Sequence, residues 1–559
     1  MNLILKNLSK KDFFICLFIF LYPLIFKLFQ GLDVTDIGFY AVNYQQIFKN
    51  PENISYSFII WLSNIIGGLW IKFFEPLGLL GLNLSGIIVI YVTLLLTYFT
   101  LKKYIETSLL LFSLLISEIY IYLYNYTVNY NNLTSLFFIL SVYLLQKSLE
   151  KEKFIYTFLS SIVLSSSIFV RLPNILGFCF ILAINIYLFL SNKDKKNYLY
   201  INLIFILGYI SGILANLFVM FNLNQLDIFY YSLGILSNKA STSGSTHSIN
   251  DLVFLFSKEY FFMFVLGFSY LIGTLLIPKL FRSEKLINLI VFISLLSQSL
   301  LFWFYYRNTY HANILVLCFF LTITLIISFF IEKNNLYKNI IFLSLIMLVI
   351  TPLGSNNGIL NSTFGMWLAI PIVCNQINKI KFISIKSKLF GNNEILKFNN
   401  KDVQVIKCFL LYSLLLSSLI YSIRFTYRDS PNRFLMTYPL KSNMLFGIYT
   451  TKERADVLNE LLLEIGKYVK EGDYLLTFSD LPLINFVTKT NPYGKNSWLN
   501  LYEGNKLEKI LTEESSLKDR ALPVILLNKY HVASYNWPIE KVEPYGRFDI
   551  LRSFIKKHN

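Results

Sequence analysis

The chain has 559 residues, of which 55% are hydrophobic, 17% aromatic and only 15% charged, and its mean hydropathy is +0.54. Soluble domains carry roughly 25% charged residues, so the composition excludes an ordinary soluble protein and describes a polytopic membrane protein. The formal charge of +17 would point to nucleic acid in a soluble chain, but membrane proteins collect Lys and Arg in their cytoplasmic loops, and that explanation is weighed first.

The N-terminus, "MNLILKNLSKKDFFICLFIFLYPLIF", begins with basic residues like a signal peptide. Its apolar run is longer than a typical signal core and lacks a small-residue cleavage site, so it reads as a retained first span. At about 20 apolar residues per span, thirteen spans are expected, near residues 12–29, 77–101, 107–124, 132–146, 154–170, 174–191, 199–220, 260–278, 286–304, 312–331, 338–353, 363–380 and 403–424. Between the first two, "YSFIIWLSNIIGGLWIKFF" at residues 56–74 is apolar enough for another span, but its Asn64, Gly67, Gly68 and Lys72, and the need to keep later loops on their side, place it as a helix lying along the interface. "NKASTSGSTHSIN", residues 238–250, reads as part of the longest outer loop, residues 221–259.

With the N-terminus cytoplasmic, 23 Lys and Arg fall in inner loops and 7 in outer segments before residue 424. That split predicts an odd number of spans with the C-terminus outside. The other 20 basic residues lie from Arg424 onward and face about 16 acidic ones, which leaves no basic stripe for nucleic acid. The five cysteines (Cys16, Cys179, Cys318, Cys374, Cys408) sit in apolar runs without paired spacing and read as small core residues.

After Ile423 the texture changes. "ERADVLNELLLEIGKYV" has apolar positions at helical spacing, a Gly-Asp turn follows, and "YLLTF" and "ALPVILLNKY" have the look of buried strands. Residues 430–559 are therefore expected as a small extracytoplasmic α/β domain behind a transmembrane domain of residues 1–429, whose first outer loop covers 30–76.

Polar residues at span ends collect on the expected outer side. Asp33 and Asp36, at i and i+3, share a face if their segment is helical. Two readings are open: one carboxylate acts as a base while the other orients substrate or holds a metal, or the pair is a solvated juxtamembrane loop with Asp36 capping the helix that begins near Ile37. Arg171, Arg307 and His311 are cations on the same side, suited to a phosphate or, on the plainer reading, snorkelling interface anchors. "WFYYRNTYH" around Arg307 and His311 sets aromatic faces beside cations, as a sugar or phosphate site does. "GSNNG", with Asn356 and Asn357, is either a tight turn or a set of donors for a head group.

The succession "LDVTDIGFYA", "NYNNLTSLFFIL" and "SIFVRLPNIL" behind a positively flanked first span resembles the GT-C superfamily of integral membrane glycosyltransferases. The members it looks most like are the protein O-mannosyltransferases, the aminoarabinose transferase acting on lipid A, and bacterial relatives from surface-polysaccharide loci. The resemblance implies an α-helical GT-C-like bundle and inverting transfer of a sugar from a polyprenyl-phosphate donor to a lipid, glycan or protein acceptor. It makes Asp36 the catalytic base, with Asp33 second, and Arg307, His311 and Arg171 the holders of the donor phosphate. Tyr40, Asn43, Asn356 and Asn357 are the candidates for contact with substrate. Where relatives carry Glu after the aspartate this chain has Ile37, and "NPENISYSF" stands where many carry an "HPP" segment. A lipid phosphate is already a good leaving group, so no cofactor is demanded and a divalent metal stays open. The competing classes are a flippase or a polymerase of lipid-linked polysaccharide; a flippase should line a central path with charge. The Asn-, Ile-, Lys-, Phe- and Tyr-rich composition suggests an AT-rich, bacterial genome and hence the plasma membrane.

Overall fold

The computed structural model describes residues 9–121, 126–191, 195–241, 248–280, 284–380, 383–386, 394–398, 400–424, 426–478, 480–502, 504–517, 520–532, 537–539 and 545–558. The first helix, α1 (Lys10–Phe26), starts where Ser9 caps it: its hydroxyl accepts from the Asp12 amide at 3.2 Å and donates to the Asp12 carboxylate at 2.8 Å. Next come α2 (Asp36–Gln46), a 3-10 stretch (Pro51–Ile60), α3 (Trp61–Phe74) and α4 (Gly78–Leu101). The bundle continues through α5 (Thr107–Ile121), α6 (Tyr130–Lys151), α7 (Phe154–Val170), α8 (Phe180–Leu190), α9 (Lys195–Asn222), α10 (Leu226–Ser241), α11 (Ile249–Leu280), α12 (Glu284–Phe304), α13 (Tyr306–Ile331), α14 (Asn335–Ile350), α15 (Met366–Lys379) and α16 (Asn400–Arg424).

Each of the thirteen expected apolar runs lies largely in a helical stretch. Among the described residues, nine helical stretches are long and apolar enough to cross a membrane, and three more apolar helices are shorter. The chain is a multi-pass membrane protein. Hydroxyl pairs join its helices: Ser141 to Ser160 at 2.8 Å and Ser148 to Thr157 at 2.7 Å tie α6 to α7, the short-range polar contact that holds helices where burial against lipid gives little.

Three local expectations are corrected. The supposed outer loop 221–259 is largely helical, holding α10 and the start of α11, because Leu226–Ser241 keeps apolar residues at helical spacing; the "STSGSTH" tip with His247 lies outside the described residues except for Ser241. The helix expected over 56–74 is shorter: residues 56–60 belong to the 3-10 stretch, α3 starts at Trp61, and a 3-10 turn at Glu75–Leu77 joins it to α4. The direction changes at Gly78, whose φ of +48° suits a residue without a Cβ and whose Cβ position is occupied by the Met444 carbonyl. Between α15 and α16 there is a small antiparallel hairpin, β1 (Ile383–Lys386) with β2 (Glu394–Phe398), in a segment read only as a basic loop.

Beyond α16 the chain forms a two-stranded pair, β3 (Tyr438–Pro439) with β4 (Tyr449–Thr450). Then follow α17 (Lys452–Ile465), β5 (Tyr474–Phe478), α18 (Pro482–Thr488), β6 (Asn491–Pro492), α19 (Gly504–Ser516), β7 (Val524–Leu527) and α20 (Tyr545–His558). Strands β6, β5 and β7 make a parallel sheet in that order, with Leu475, Leu476 and Phe478 buried. The two strand-like runs read from sequence are β5 and β7, and helices connect the parallel strands as such a sheet requires.

This α/β lobe is packed onto the first loop. Gly38 of α2 lies against the Leu483 backbone of α18, where a Cβ would collide, and the Leu483 amide donates to the Val34 carbonyl at 3.2 Å. Buried Asp429 accepts from the Leu32 amide at 2.7 Å and from the Thr450 hydroxyl at 2.9 Å, and it pairs with the buried Arg454 guanidinium. A buried charge is tolerable when paired and fully hydrogen-bonded in this way. One hydrophobic core thus runs from α1 and α2 into the lobe as far as Trp537.

Candidate functional site

Where the bundle meets the lobe lies a cavity of about 390 Å³, lined by Asp36, Tyr40, Arg171, Asn356 and Asn357 together with Asn129, Asn131, Tyr130, Tyr427, Arg428 and Trp498. Its volume is that of a small-ligand site. Its walls come from the N-terminal end of α2, the 3-10 stretch before α3, the cap of α6, the junction after α7, α10, the turn before α15, the segment after α16 and the lobe.

Of the two aspartates it is Asp36 that lines the cavity, and the capping contacts considered for Asp36 are made by Asp33 instead. Asp33 is fully buried and accepts from the Thr35 amide at 2.9 Å, the Thr35 hydroxyl at 2.6 Å and the Ile37 amide at 3.1 Å. It is therefore the capping carboxylate of α2 and lines no part of the cavity. Burial pushes its carboxyl up to about 6, with Arg428 pulling the other way and Asp36 adding to the rise. Asp36, relieved of capping, turns to the cavity. Its Oδ2 accepts from the Tyr427 hydroxyl at 2.5 Å and faces the Arg428 guanidinium at 3.2 Å, while Oδ1 receives no hydrogen bond from a described residue. Tyr427 keeps its proton, because burial first and the Asp36 charge next hold its hydroxyl well above the usual range.

Arg428 holds that arrangement. It donates to the Thr35 hydroxyl, and its guanidinium lies 5.5 Å from the Trp498 ring and 5.2 Å from the Tyr427 ring. Burial opposes its charge, but Asp36, Tyr427 and Asp33 outweigh that and hold it above its ordinary range. Its backbone sits at φ +53°, a left-handed conformation that costs a non-glycine residue energy and aims the side chain at Asp36, while the next residue, Asp429, is anchored on the opposite side. Such strain persists only where surrounding contacts impose it.

Asn129 caps α6, accepting from the Asn131 and Asn132 amides at 2.8 and 3.1 Å, and fixes a row of amide side chains at the rim. Arg171 is buried; Nη1 donates to the Thr351 carbonyl at 2.6 Å and Nη2 to the Leu353 carbonyl at 2.9 Å. It thereby supports the turn that carries Asn356 and Asn357, with two of its guanidinium hydrogens committed to the chain, and it lines the cavity as well. Tyr40 stands edge-to-face with Tyr130 at 5.8 Å.

Other expected site residues lie elsewhere. Asn43 shares the azimuth of Asp36 on α2 but is seven residues on, about 10 Å along the axis, where it is buried away from the cavity with no hydrogen bond to its amide among the described residues. His311 pairs with buried Glu259 at 3.1 Å, and Glu259 in turn accepts from the Ile359 amide, so His311 braces the turn after Asn357 and does not enter the cavity. The side chain of Arg307 lies outside the described residues.

Reading the sequence missed Tyr427, Arg428 and Trp498. "TYRDS" directly after the last span sets aromatic beside cation as "YYRNTYH" does, and the same criterion applied there would have found two of them. Trp498 carries no local signal.

A divalent cation does not fit these residues. Asp36 is the only acidic side chain among those described as lining the cavity, it already faces a guanidinium, and no group of three or more His, Cys, Asp or Glu side chains stands together among the described residues.

Fold and cavity together define a multi-pass helical membrane protein with one carboxylate–arginine cavity closed by a C-terminal α/β lobe. No protein-family model and no curated protein matches the chain. Among solved structures it is similar to the archaeal oligosaccharyltransferase AglB from Archaeoglobus fulgidus, in complex with an inhibitory peptide and a dolichol-phosphate. The identity is 12% and the TM-score 0.43, and the match covers 86% of this chain and 64% of that one, so the chain spans less than two thirds of its length.

Proposed function

We propose that the chain is a GT-C-type membrane glycosyltransferase that moves a sugar from a polyprenyl-phosphate donor to an acceptor at the outer face of the plasma membrane, with inversion. The observation that carries this reading is the state of Asp36: one oxygen fixed by Tyr427 and Arg428, the other without a hydrogen bond among the described residues, on a cavity rimmed by amides and aromatic rings. Amides read hydroxyl patterns and aromatic faces cover apolar sugar faces.

In this scheme Oδ1 takes the proton of the acceptor O–H or N–H. The acceptor atom forms its bond to the anomeric carbon from the face opposite the phosphate, and the anomeric C–O bond breaks with its electron pair leaving on the lipid phosphate. The guanidinium hydrogens of Arg171 and Arg428 not already committed stabilise that developing charge, where fixed cations act most strongly. Tyr40, Asn356 and Asn357 line the sugar-binding space. The test is to supply purified protein with a polyprenyl-phosphate sugar mixture and native membrane extract and to follow free polyprenyl phosphate. Its release with label appearing in an acceptor supports the transferase; labelled donor crossing the bilayer intact, without release, overturns it in favour of a flippase.

A further inference from the structure

A second cavity, of about 370 Å³, lies at the other end of α2. Asp36 and Gln46 begin and end the same helix, so the two cavities are about 15 Å apart along it. Gln45, Gln46, Lys49 and Asn50 line one wall, the end of α3 another, and Glu471, Lys489 and Asn491 of the lobe close it. Its polar frame is built: Asn50 bridges Gln46 at 3.2 Å and Asn491 at 3.0 Å, and the buried Gln45 Oε1 has no donor among the described residues.

The charges are unequal. Three lysines, Lys49, Lys72 and Lys489, line the cavity against two carboxylates, Glu75 and Glu471; Lys489 pairs with Glu75 at 2.7 Å, Lys49 acts on Glu75 from farther off, and neither Lys49 nor Lys72 makes an ion pair at contact distance among the described residues. Helix α3 adds the second half of the argument. Gly68, Ile71, Lys72 and Glu75 recur at i, i+3, i+4 and i+7 and face the cavity. The adjacent stripe, Leu69, Phe73 and Leu77, is exposed to 44%, 75% and 41%. The cavity therefore offers an anion two ammonium groups from facing walls, Lys49 beyond the end of α2 and Lys72 on α3, with bare apolar surface of α3 beside the latter, the division of an amphiphile whose head is anionic.

We propose that this cavity binds the phosphate head group of an anionic lipid, whose chains lie along Leu69, Phe73 and Leu77. The site is separate from the Asp36 cavity and stands whether or not the transferase reading does. Lys49 and Lys72 are exposed, so neutralising them leaves the fold intact. The experiment titrates the full-length protein in neutral detergent with dioctanoyl phosphatidylglycerol and follows the lipid adduct by native mass spectrometry. Wild type should show a saturable adduct, Lys49→Gln/Lys72→Gln should bind about tenfold more weakly or worse, and Lys102→Gln/Lys103→Gln should match wild type. Phe73→Ser should also weaken the lipid, and excess inorganic phosphate should not displace it. Equal binding by wild type and the Lys49/Lys72 variant overturns the site; displacement by inorganic phosphate at matched concentration overturns the lipid and makes the ligand a free anion.

Discussion

Replacing Arg428 separates its side chain from its strained backbone. The guanidinium, with about a fifth of its side chain exposed, faces Asp36 at 3.2 Å, donates to Thr35, and lies near two aromatic rings. A hydrogen bond to a charged group contributes about 1.5–3 kcal/mol, and a partly exposed cation–π contact about 0.5–1 kcal/mol. If half of that total is spent on aiming Asp36, Arg428→Met lowers turnover by about 5- to 30-fold, at about 1.4 kcal/mol per factor of ten. Arg428→Lys keeps the charge but loses the planar fork and should fall between. Arg428→Gly is the discriminating variant. It relieves the φ of +53°, so it should melt no lower than Arg428→Met, yet turn over as poorly. The assay is kcat at saturating donor alongside a thermal melt of each variant. A variant lacking the guanidinium that turns over within about twofold of wild type would refute the positioning role; a loss confined to melting temperature would show that Arg428 only stabilises the fold.

The Asp33 carboxyl, raised by burial to about 6 from a usual 3.8, holds its proton in the folded state over a range where the unfolded chain has lost it. Its favourable contribution is complete below about pH 4 and disappears as pH rises through about 6, on the order of 3 kcal/mol in all; Asp33→Asn should flatten the melting temperature across that window, and an unchanged slope would contradict the assignment. Gly38→Val drives a side chain into the Leu483 backbone, a strain of about 1–3 kcal/mol, and should expose the lobe to limited proteolysis near residue 430 while wild type resists. Trp498→Ala removes a cavity wall and the ring beside Arg428; KM for the donor should rise about tenfold for a lost contact of about 1–2 kcal/mol, and unchanged KM and kcat together would take Trp498 out of the site.

The bundle was legible because a membrane leaves a coarse mark: each span needs its own apolar run, and all thirteen runs fall largely in helical stretches. The resemblance singled out Asp36, before "IGFYA" at a span end, and Asp36 does line the cavity. Which aspartate caps was not legible, since Asp33 and Asp36 differ only in how the Thr35 and Ile37 amides fold back. Asn43 was misread for a related reason. Helical phase puts it beneath Asp36, but phase says nothing of depth along the axis. Arg428 and Trp498 stand 392 and 462 residues from Asp36 in sequence and reach it through long-range contacts, Asp429 on the Leu32 amide and α18 of the lobe on Gly38 of α2, that no local periodicity encodes. His311 failed for want of its partner: Glu259 lies in a segment read as loop and proved to be α11.

The most direct test of the account is polyprenyl-phosphate release by Asp36→Asn. The amide oxygen still accepts from Tyr427 and the side chain keeps its shape, so the protein should stay folded. With its base gone, release should fall by about 100-fold or more in a variant that still folds and melts cooperatively. Release within about twofold of wild type in a folded variant would remove Asp36 from the chemistry and contradict the central claim.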